Sequence, residues 1–201
     1  MADELIDLLD ENGKIIGTIM KHEAHKTGAW HKAVHVYLVN KRKELLLQYR
    51  NKDKDLYSNT WDISVGGHVG AGEDIIDSAI REVEEEVGLK LKKVDLEHLF
   101  TYKEGFKFDI YYSREFVNVF LANIDFNLED ITMQDGEVSK VKLVKVKEFA
   151  KMVKEKDPSI IPHDEEYEKV MPILLNLCLR LHFVPLRMTC FTRHFAKSII
   201  F

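Results

Sequence analysis

The chain of 201 residues carries a formal net charge of −5, and 45% of its residues are apolar. This composition supports one folded domain, alone or with a small appendage, and argues against disorder. The mild acidity argues against nucleic-acid binding, and the chain lacks the run of about 18 apolar residues that a membrane span requires. Two cysteines and an acidic start without a basic-then-apolar leader predict neither a disulfide framework nor secretion, so we expect a cytoplasmic protein.

The first part of the chain predicts hairpins followed by a helix. Asn12-Gly13 supplies the positive φ angles of a tight turn between two strands. The predicted strands are Glu4–Asp10, Ile15–Met20, Ala33–Asn40, Glu44–Tyr49 and Trp61–Val65. The hydrophobic period then becomes that of a helix over Glu73–Val87, which Gly88 is placed to cap.

The second part predicts further strands and two closing helices. The strands are Leu96–Tyr102, Phe116–Ile124 and Lys140–Val144. The helices are Val146–Lys154 and Asp164–Leu181, the second kinked or interrupted at Pro172. This order predicts a mixed α/β (α+β) domain over residues 1–155, a C-terminal helix packed on it over 156–183, and a basic, apolar tail of unknown role over 184–201.

The helix predicted at Glu73–Val87 places carboxylates beside its core face. Its apolar residues fall within about 140° of the helical wheel. Glu86 lies inside this arc and Glu82 only about 20° outside it, while Glu85 lies about 60° farther out. Because a buried charge is costly unless it is paired, these glutamates indicate a divalent cation such as Mg²⁺. The alternative is a solvated acidic face, which is the better interpretation for Glu84.

Glycines precede this helix at positions 66, 67, 70 and 72. A strand, glycine loop and helix in succession can offer backbone amides and carbonyls to a phosphate or its metal, although an ordinary tight turn gives the same pattern. Arg81 is spaced to pair with Glu85 one turn later.

The segment from Gly67 to Leu89 resembles the Nudix box, GX5EX7REUXEEXGU with U aliphatic. The matching positions are Gly67, Glu73, Arg81, Glu82, Val83, Glu85, Glu86, Gly88 and Leu89. The resemblance implies a Nudix fold, a mixed β-sheet sandwiched between helices, and Mg²⁺- or Mn²⁺-dependent hydrolysis of a small-molecule diphosphate. It makes Glu82, Glu85, Glu86 and the Gly67 carbonyl metal ligands, with one glutamate as a candidate base. Arg81 would orient a carboxylate, and Glu73 would support the junction between loop and helix.

A second resemblance is to the isopentenyl-diphosphate isomerase branch of this superfamily. There a metal is held by histidines at positions resembling His25, His31 and His68, with a later glutamate resembling Glu115. The catalytic cysteine of the isomerase, however, is replaced here by Gly66. We therefore expect a hydrolase of this branch, with isomerase activity and a non-enzymatic ligand-binding module as alternatives.

Further candidates bear on the substrate. Arg50 and Lys54 follow a strand where the related branch carries a basic loop, so they are candidates for phosphate binding together with His31 and His68. Glu137 resembles a position that approaches the metal or water in many relatives, which makes it a candidate catalytic carboxylate. Relatives often dimerise through their hairpins, so a homodimer is also a candidate. The leaving group stays open.

Overall fold

The computed structural model of the protein describes residues 4–52, 57–108 and 111–179. The strands are β1 (Leu5–Leu9), β2 (Ile15–Met20), β3 (Trp30–Val39), β4 (Glu44–Arg50), β5 (Trp61–Asp62), β6 (Val65–His68), β7 (Leu96–Phe108), β8 (Tyr111–Asn123) and β9 (Val138–Lys145). The helices are α1 (Lys21–Thr27), α2 (Ile75–Val87), α3 (Val146–Lys154) and α4 (Asp164–Leu179). Among these helices none is long and apolar enough to cross a membrane.

Strand β3 is the centre of a mixed sheet. It pairs antiparallel with β1, β4 and β6 and parallel with β8, and β7 and β9 extend the sheet through β8 and β4. A strand that is paired on both edges and covered on both faces is typically apolar along most of its length. In β3, residues 33–39 are all buried. The predicted mixed sheet between helices is confirmed.

Side chains that alternate along β3 build two separate cores. Val34, Val36 and Leu38 pack with α2 on one face of the sheet. Ala33, Tyr37 and Val39 pack on the other face with apolar residues of α3 and α4. Because the side-chain period of a strand is two, every residue of β3 is committed to one of these faces.

Most predicted elements differ in their bounds, and β7 and β8 extend well past the predicted Leu96–Tyr102 and Phe116–Ile124. The strand expected at Trp61–Val65 is divided into β5, which pairs with β4, and β6, which pairs with β3. Helix α2 begins at Ile75 and not at Glu73, because the side chain of Asp74 accepts hydrogen bonds from the N–H groups of Ile76 and Asp77 and so caps the helix. Gly88 ends α2 with a φ of 74°, as expected.

Helix α1 was not expected from the sequence, and α4 was. The seven residues of α1 make about two turns, too short a stretch for a hydrophobic period to emerge. In α4, Pro172 lies inside the helix, and Tyr167, Val170 and Leu174 enter the core. The tail over residues 184–201 lies outside the described residues, so the predicted division of the chain stays a prediction.

A buried carboxylate fastens α4 to the sheet. Glu166, which has no exposed surface, accepts hydrogen bonds from His35 Nδ1 (2.7 Å), the Tyr37 hydroxyl (2.6 Å) and the Tyr102 hydroxyl (2.8 Å). Burial opposes ionisation of Glu166, but the charge of His35 and these hydrogen bonds hold its pKa at about 2. Burial likewise opposes the charge of His35, yet Glu166 raises the pKa of this imidazole.

We expect Glu166→Ala to lower the free energy of unfolding by about 3–5 kcal/mol, because the buried donors of His35, Tyr37 and Tyr102 lose their charged acceptor. Glu165→Ala is the matched control. Glu165 lies on the same helix but is exposed, and its i,i+4 pair with Lys169 is worth about 0.3–0.5 kcal/mol. Urea denaturation of both variants measures the difference. Equal, small losses would contradict a fastening role for Glu166.

Candidate active site

Gly67 lies directly against the carboxylate of Glu82. A Cβ atom placed on Gly67 would lie 2.1 Å from Glu82 Cδ, so any larger residue would displace this carboxylate. Glu82 is 8% exposed. Burial raises the pKa of Glu82, and Arg81 offsets only part of that effect. Strand β6 and helix α2 therefore meet at a buried carboxylate that is paired with Arg81.

The guanidinium of Arg81 connects the glutamates of α2 to the loop and to β6. Its Nη1 donates to Glu82 Oε1 (2.8 Å) and Glu85 Oε2 (3.2 Å). Its Nε and Nη2 donate to both carboxylate oxygens of Glu73, and Nη2 also donates to the carbonyl of His68 (3.0 Å). Burial opposes the charge of Arg81, but the carboxylates raise its pKa further, so it stays cationic. The sequence indicated the contact with Glu85 alone.

Glu73 supports the start of the helix as the resemblance implied. Its Oε2 accepts a hydrogen bond from the N–H of Gly70 (3.1 Å) while the carboxylate binds Arg81. Burial opposes ionisation of Glu73, but Arg81 and the hydrogen bonds lower its pKa below the ordinary range. Glu73 is thus a structural anion at the junction of loop and helix.

The remaining glutamates of the box are oriented as the helical wheel predicts. Glu86 is buried, and its Oε2 accepts a hydrogen bond from Gln48 Nε2 of β4 at 3.2 Å. Glu85 is about half exposed. Glu84 faces solvent, where it pairs with Lys90. On the helix, Glu82 and Glu85 therefore share Arg81, while Glu86 contacts β4. The roles of these three glutamates as metal ligands stay predictions.

Three histidines and a glutamate converge from four different elements. His25 lies on α1, His31 on β3, His68 on β6 and Glu115 on β8, and their ligand atoms all lie within 4.8 Å of one another. The Oε1 atom of Glu115 is 3.5 Å from His31 Nε2, 3.8 Å from His25 Nε2 and 4.0 Å from His68 Nε2. These four residues, named here the histidine cluster, are the set for which the sequence suggested a second metal.

The ring nitrogens of the cluster are oriented by partners outside it. His31 Nδ1 donates to the carbonyl of Ala29 (2.9 Å), which directs the fully buried Nε2 into the cluster, where it has no hydrogen-bond partner. His25 Nδ1 contacts the Tyr111 hydroxyl at 2.6 Å. A histidine that binds a metal through one ring nitrogen typically has such a partner on its other ring nitrogen.

The protonation states of the cluster also suit a cation. Burial lowers the pKa of His68 well below its ordinary value, so this imidazole is neutral. Burial opposes ionisation of Glu115, but the adjoining imidazoles outweigh it and hold the pKa of Glu115 low. An unprotonated His68 and an ionised Glu115 are the ligand forms that a divalent metal requires.

Three further residues were predicted to belong to the site. Arg50 contacts Asp62 at 3.3 Å, and the side chain of Glu137 is buried. Lys54 lies outside the described residues. Their roles as substrate-binding and catalytic groups stay predictions.

The sequence did not single out the pair formed by Asp62 and His163. His163 Nε2 lies 3.0 Å from Asp62 Oδ1, and His163 Nδ1 lies 3.8 Å from Glu104 Oε1. Burial opposes both charges, but the pairing holds the pKa of Asp62 at about 2 and raises that of His163 well above its ordinary value. Because the partners lie 101 positions apart in the chain, no local spacing could have indicated this contact.

Comparison with known proteins identifies the class to which this fold and site belong. The NUDIX domain family matches residues 29–164, more than half of the chain. The chain therefore belongs to the Nudix family, whose hydrolases act on diphosphate bonds. In structure, DR0079 from Deinococcus radiodurans aligns with a TM-score of 0.59 at 20% identity, covering 76% of this chain and 90% of that one, which shows the fold alone.

Relatives in sequence include hydrolases and isomerases. Nudix hydrolase 3 of Arabidopsis thaliana is 38% identical over 186 residues, covering 89% of this chain and 24% of its own length. An uncharacterised Nudix hydrolase of Clostridium acetobutylicum is 31% identical over 159 residues, 78% of this chain and 77% of that protein. An isopentenyl-diphosphate Delta-isomerase of Pectobacterium atrosepticum is 40% identical over 83 residues, 41% of this chain and 46% of that enzyme. The chain thus spans about a quarter of the Arabidopsis relative.

We expect Gly67→Ala to lower kcat/KM about a hundredfold, because the new methyl group displaces the Glu82 carboxylate. The free energy of unfolding should fall by only about 1–3 kcal/mol. Gly17→Ala is the control, since a Cβ there has its nearest neighbour at 3.9 Å. Steady-state kinetics and urea denaturation are the measurements, and unchanged kcat/KM in Gly67→Ala would contradict the placement of Glu82 in the site.

Proposed function

We propose that the chain is a divalent-metal-dependent hydrolase that cleaves the diphosphate linkage of a nucleoside diphosphate derivative or another small organic diphosphate. The observation that carries this proposal is the contact of the Glu82 carboxylate with Gly67, held in place by Arg81. It unites the strand, the glycine loop and the helix of the box in one arrangement. The complete set of box residues supports an active enzyme over a ligand-binding module.

The box residues suit a hard cation such as Mg²⁺ or Mn²⁺. Glu82, Glu85 and Glu86 offer carboxylates, and the Gly67 carbonyl offers a fourth oxygen. Arg81 supplies one positive charge to four carboxylates, including those of Glu4 and Glu73, so the cluster keeps a net negative charge. A buried surplus of negative charge is stabilised when a cation binds.

A bound divalent cation supplies neutralisation of phosphate oxygens and a lower pKa for the attacking water. Arg81 holds Glu82 and Glu85 in position for that chemistry. Glu85 is the better-exposed carboxylate of the pair, which favours it as the base that accepts the proton of water. Glu137 is the second candidate base. Arg50, Lys54, His31 and His68 are proposed to bind the substrate phosphates.

The histidine cluster is proposed as a second metal site. Its convergent imidazoles and one carboxylate suit Mn²⁺ or Zn²⁺. The buried, unpartnered Nε2 of His31 supports this assignment, because a lone pair directed at a carboxylate is unfavourable without a cation between them.

Isomerase activity is the alternative function, because the histidine cluster resembles the metal ligands of the isomerases. Moving protons at an allylic carbon requires a positioned acid and base, and Gly66 provides no side chain for either role. We therefore favour hydrolysis. We further propose a cytoplasmic protein and a homodimer, the latter supported by the exposed apolar side chains of Leu5, Ile15 and Ile16 on the first hairpin.

The hydrolase proposal is tested by measuring the phosphate monoesters and any phosphate or diphosphate formed with Mg²⁺ or Mn²⁺ from nucleoside di- and triphosphates, nucleotide sugars, ADP-ribose, thiamine diphosphate and isopentenyl diphosphate. We expect Glu85→Gln to lower the rate by about a hundredfold or more, and the exposed Glu84→Gln to change it little. Formation of dimethylallyl diphosphate without any hydrolysis product would support the isomerase. Absence of any turnover would contradict an active enzyme on these substrates.

The second metal site predicts metal retention that depends on the histidine cluster. After dialysis against Mn²⁺ or Zn²⁺, we expect His68→Gln to bind the ion about a hundredfold more weakly than the native protein. His98→Gln, an exposed histidine on β7, is the control and should bind normally. Glu85→Gln should also retain this ion. Equal metal content in His68→Gln and His98→Gln, measured by mass spectrometry, would contradict the site.

A further inference from the structure

One carboxylate beside the histidine cluster has no role in the function proposed above. Glu104 of β7 lies directly opposite Glu115 of β8 in the antiparallel register. Directly opposed residues have Cβ atoms about 4.5–5.5 Å apart on the same face of the sheet. Glu104 is therefore the immediate neighbour of a residue whose carboxylate faces three histidines.

Two like charges side by side are unfavourable unless each is compensated from another direction. Glu115 faces the histidine cluster. Glu104 lies 3.8 Å from Nδ1 of His163, whose Nε2 is 3.0 Å from Asp62. Asp62 in turn contacts Arg50 at 3.3 Å. The chain of contacts from Arg50 to His163 thus holds the Glu104 carboxylate from the side away from the cluster.

The charged groups on this part of the sheet are partly exposed. The side chains of Glu104 and His68 are 25% and 20% exposed, and that of Glu115 is 13% exposed. The stacked rings of Phe106 and Tyr111 lie beside them, next to His25. The exposed fractions leave Glu104 reachable by a ligand.

We propose that Glu104, oriented by His163 and Asp62, accepts hydrogen bonds from a vicinal diol of the substrate and so selects a ribose- or sugar-bearing diphosphate. This inference rests on the proposed function, since the phosphates of the substrate must be held nearby. The buried Nε2 of His31 lies in the adjoining histidine cluster, where the proposed second metal would hold the substrate phosphates on this same face.

The chemistry of a carboxylate explains the choice of ligand. Its two oxygens can accept one hydrogen bond from each hydroxyl of a diol, which is how acidic residues recognise ribose. A hydrocarbon chain in the same place would cover Glu104 and His163 without replacing the water that it displaces. The Glu104 carboxylate is therefore suited to a polyol.

The test compares AMP with 2′,3′-dideoxy-AMP, which lacks the diol, by isothermal titration calorimetry in the presence of Mn²⁺. Neither compound contains a diphosphate, so binding is measured apart from turnover. We expect the native protein to prefer AMP by about tenfold or more, and Glu104→Gln to lose that preference while binding dideoxy-AMP normally. His163→Gln should lose part of the preference. Glu97→Gln, an exposed carboxylate on the same strand, should keep it.

Three results would overturn the proposal: equal binding of both nucleotides by the native protein, an equal loss of both in Glu104→Gln, or binding of neither nucleotide. Metal content of Glu104→Gln serves as a check on its fold and should match the native protein. The hydrolase proposal can fail independently of this one. In that case no hydrolysis product would form, while the preference for the diol would persist.

Discussion

The Arg81 guanidinium is the interaction on which the rest of the box depends. It binds Glu73 in the loop, Glu82 and Glu85 on the helix, and the backbone of β6 through the His68 carbonyl. One cation thus sets the distance between strand and helix and also the orientation of the carboxylates. Because Arg81 neutralises only part of their charge, the same arrangement that stabilises the local structure leaves the excess negative charge on which the proposed metal site depends.

Strand β3 connects the box, on the α2 face of the sheet, with the histidines on the opposite face. Its alternation places Val34 and Val36 under α2, while His31 and His35 lie on the face covered by α4. His31 enters the histidine cluster, and His35 binds Glu166. A single strand therefore carries both a candidate ligand and the anchor of the helix that covers that face, so the packing of α4 and the shape of the site are coupled.

The elements that depend on a local hydrophobic period could be predicted from the sequence, but the polar contacts that depend on tertiary packing could not. Helix α3 has the predicted bounds, and the wheel of α2 correctly buries Glu82 and Glu86 while exposing Glu84. The histidine cluster was expected only through a family resemblance, since its members come from four elements. The contact of Asp62 with His163 depends on where α4 docks, and no periodicity within either segment contains that information. Long-range polar contacts are specified by the tertiary fold.

The two adjoining glycines of β6 show why this site favours hydrolysis over chemistry at carbon. A Cβ on Gly67 would collide with Glu82, whereas a Cβ on Gly66 would lie 3.4 Å from the His35 ring on the opposite face. Position 67 must therefore be glycine for the box to form, but position 66 has room for a small side chain such as the cysteine of the isomerases. Without a thiol there, the titratable groups that the structure describes at the cluster are its imidazoles, the Glu115 carboxylate and the Tyr111 hydroxyl, and they contact one another. Such groups are suited to holding metal ions and hydroxyls, and the chain offers no acid and base at position 66 to move a proton on carbon.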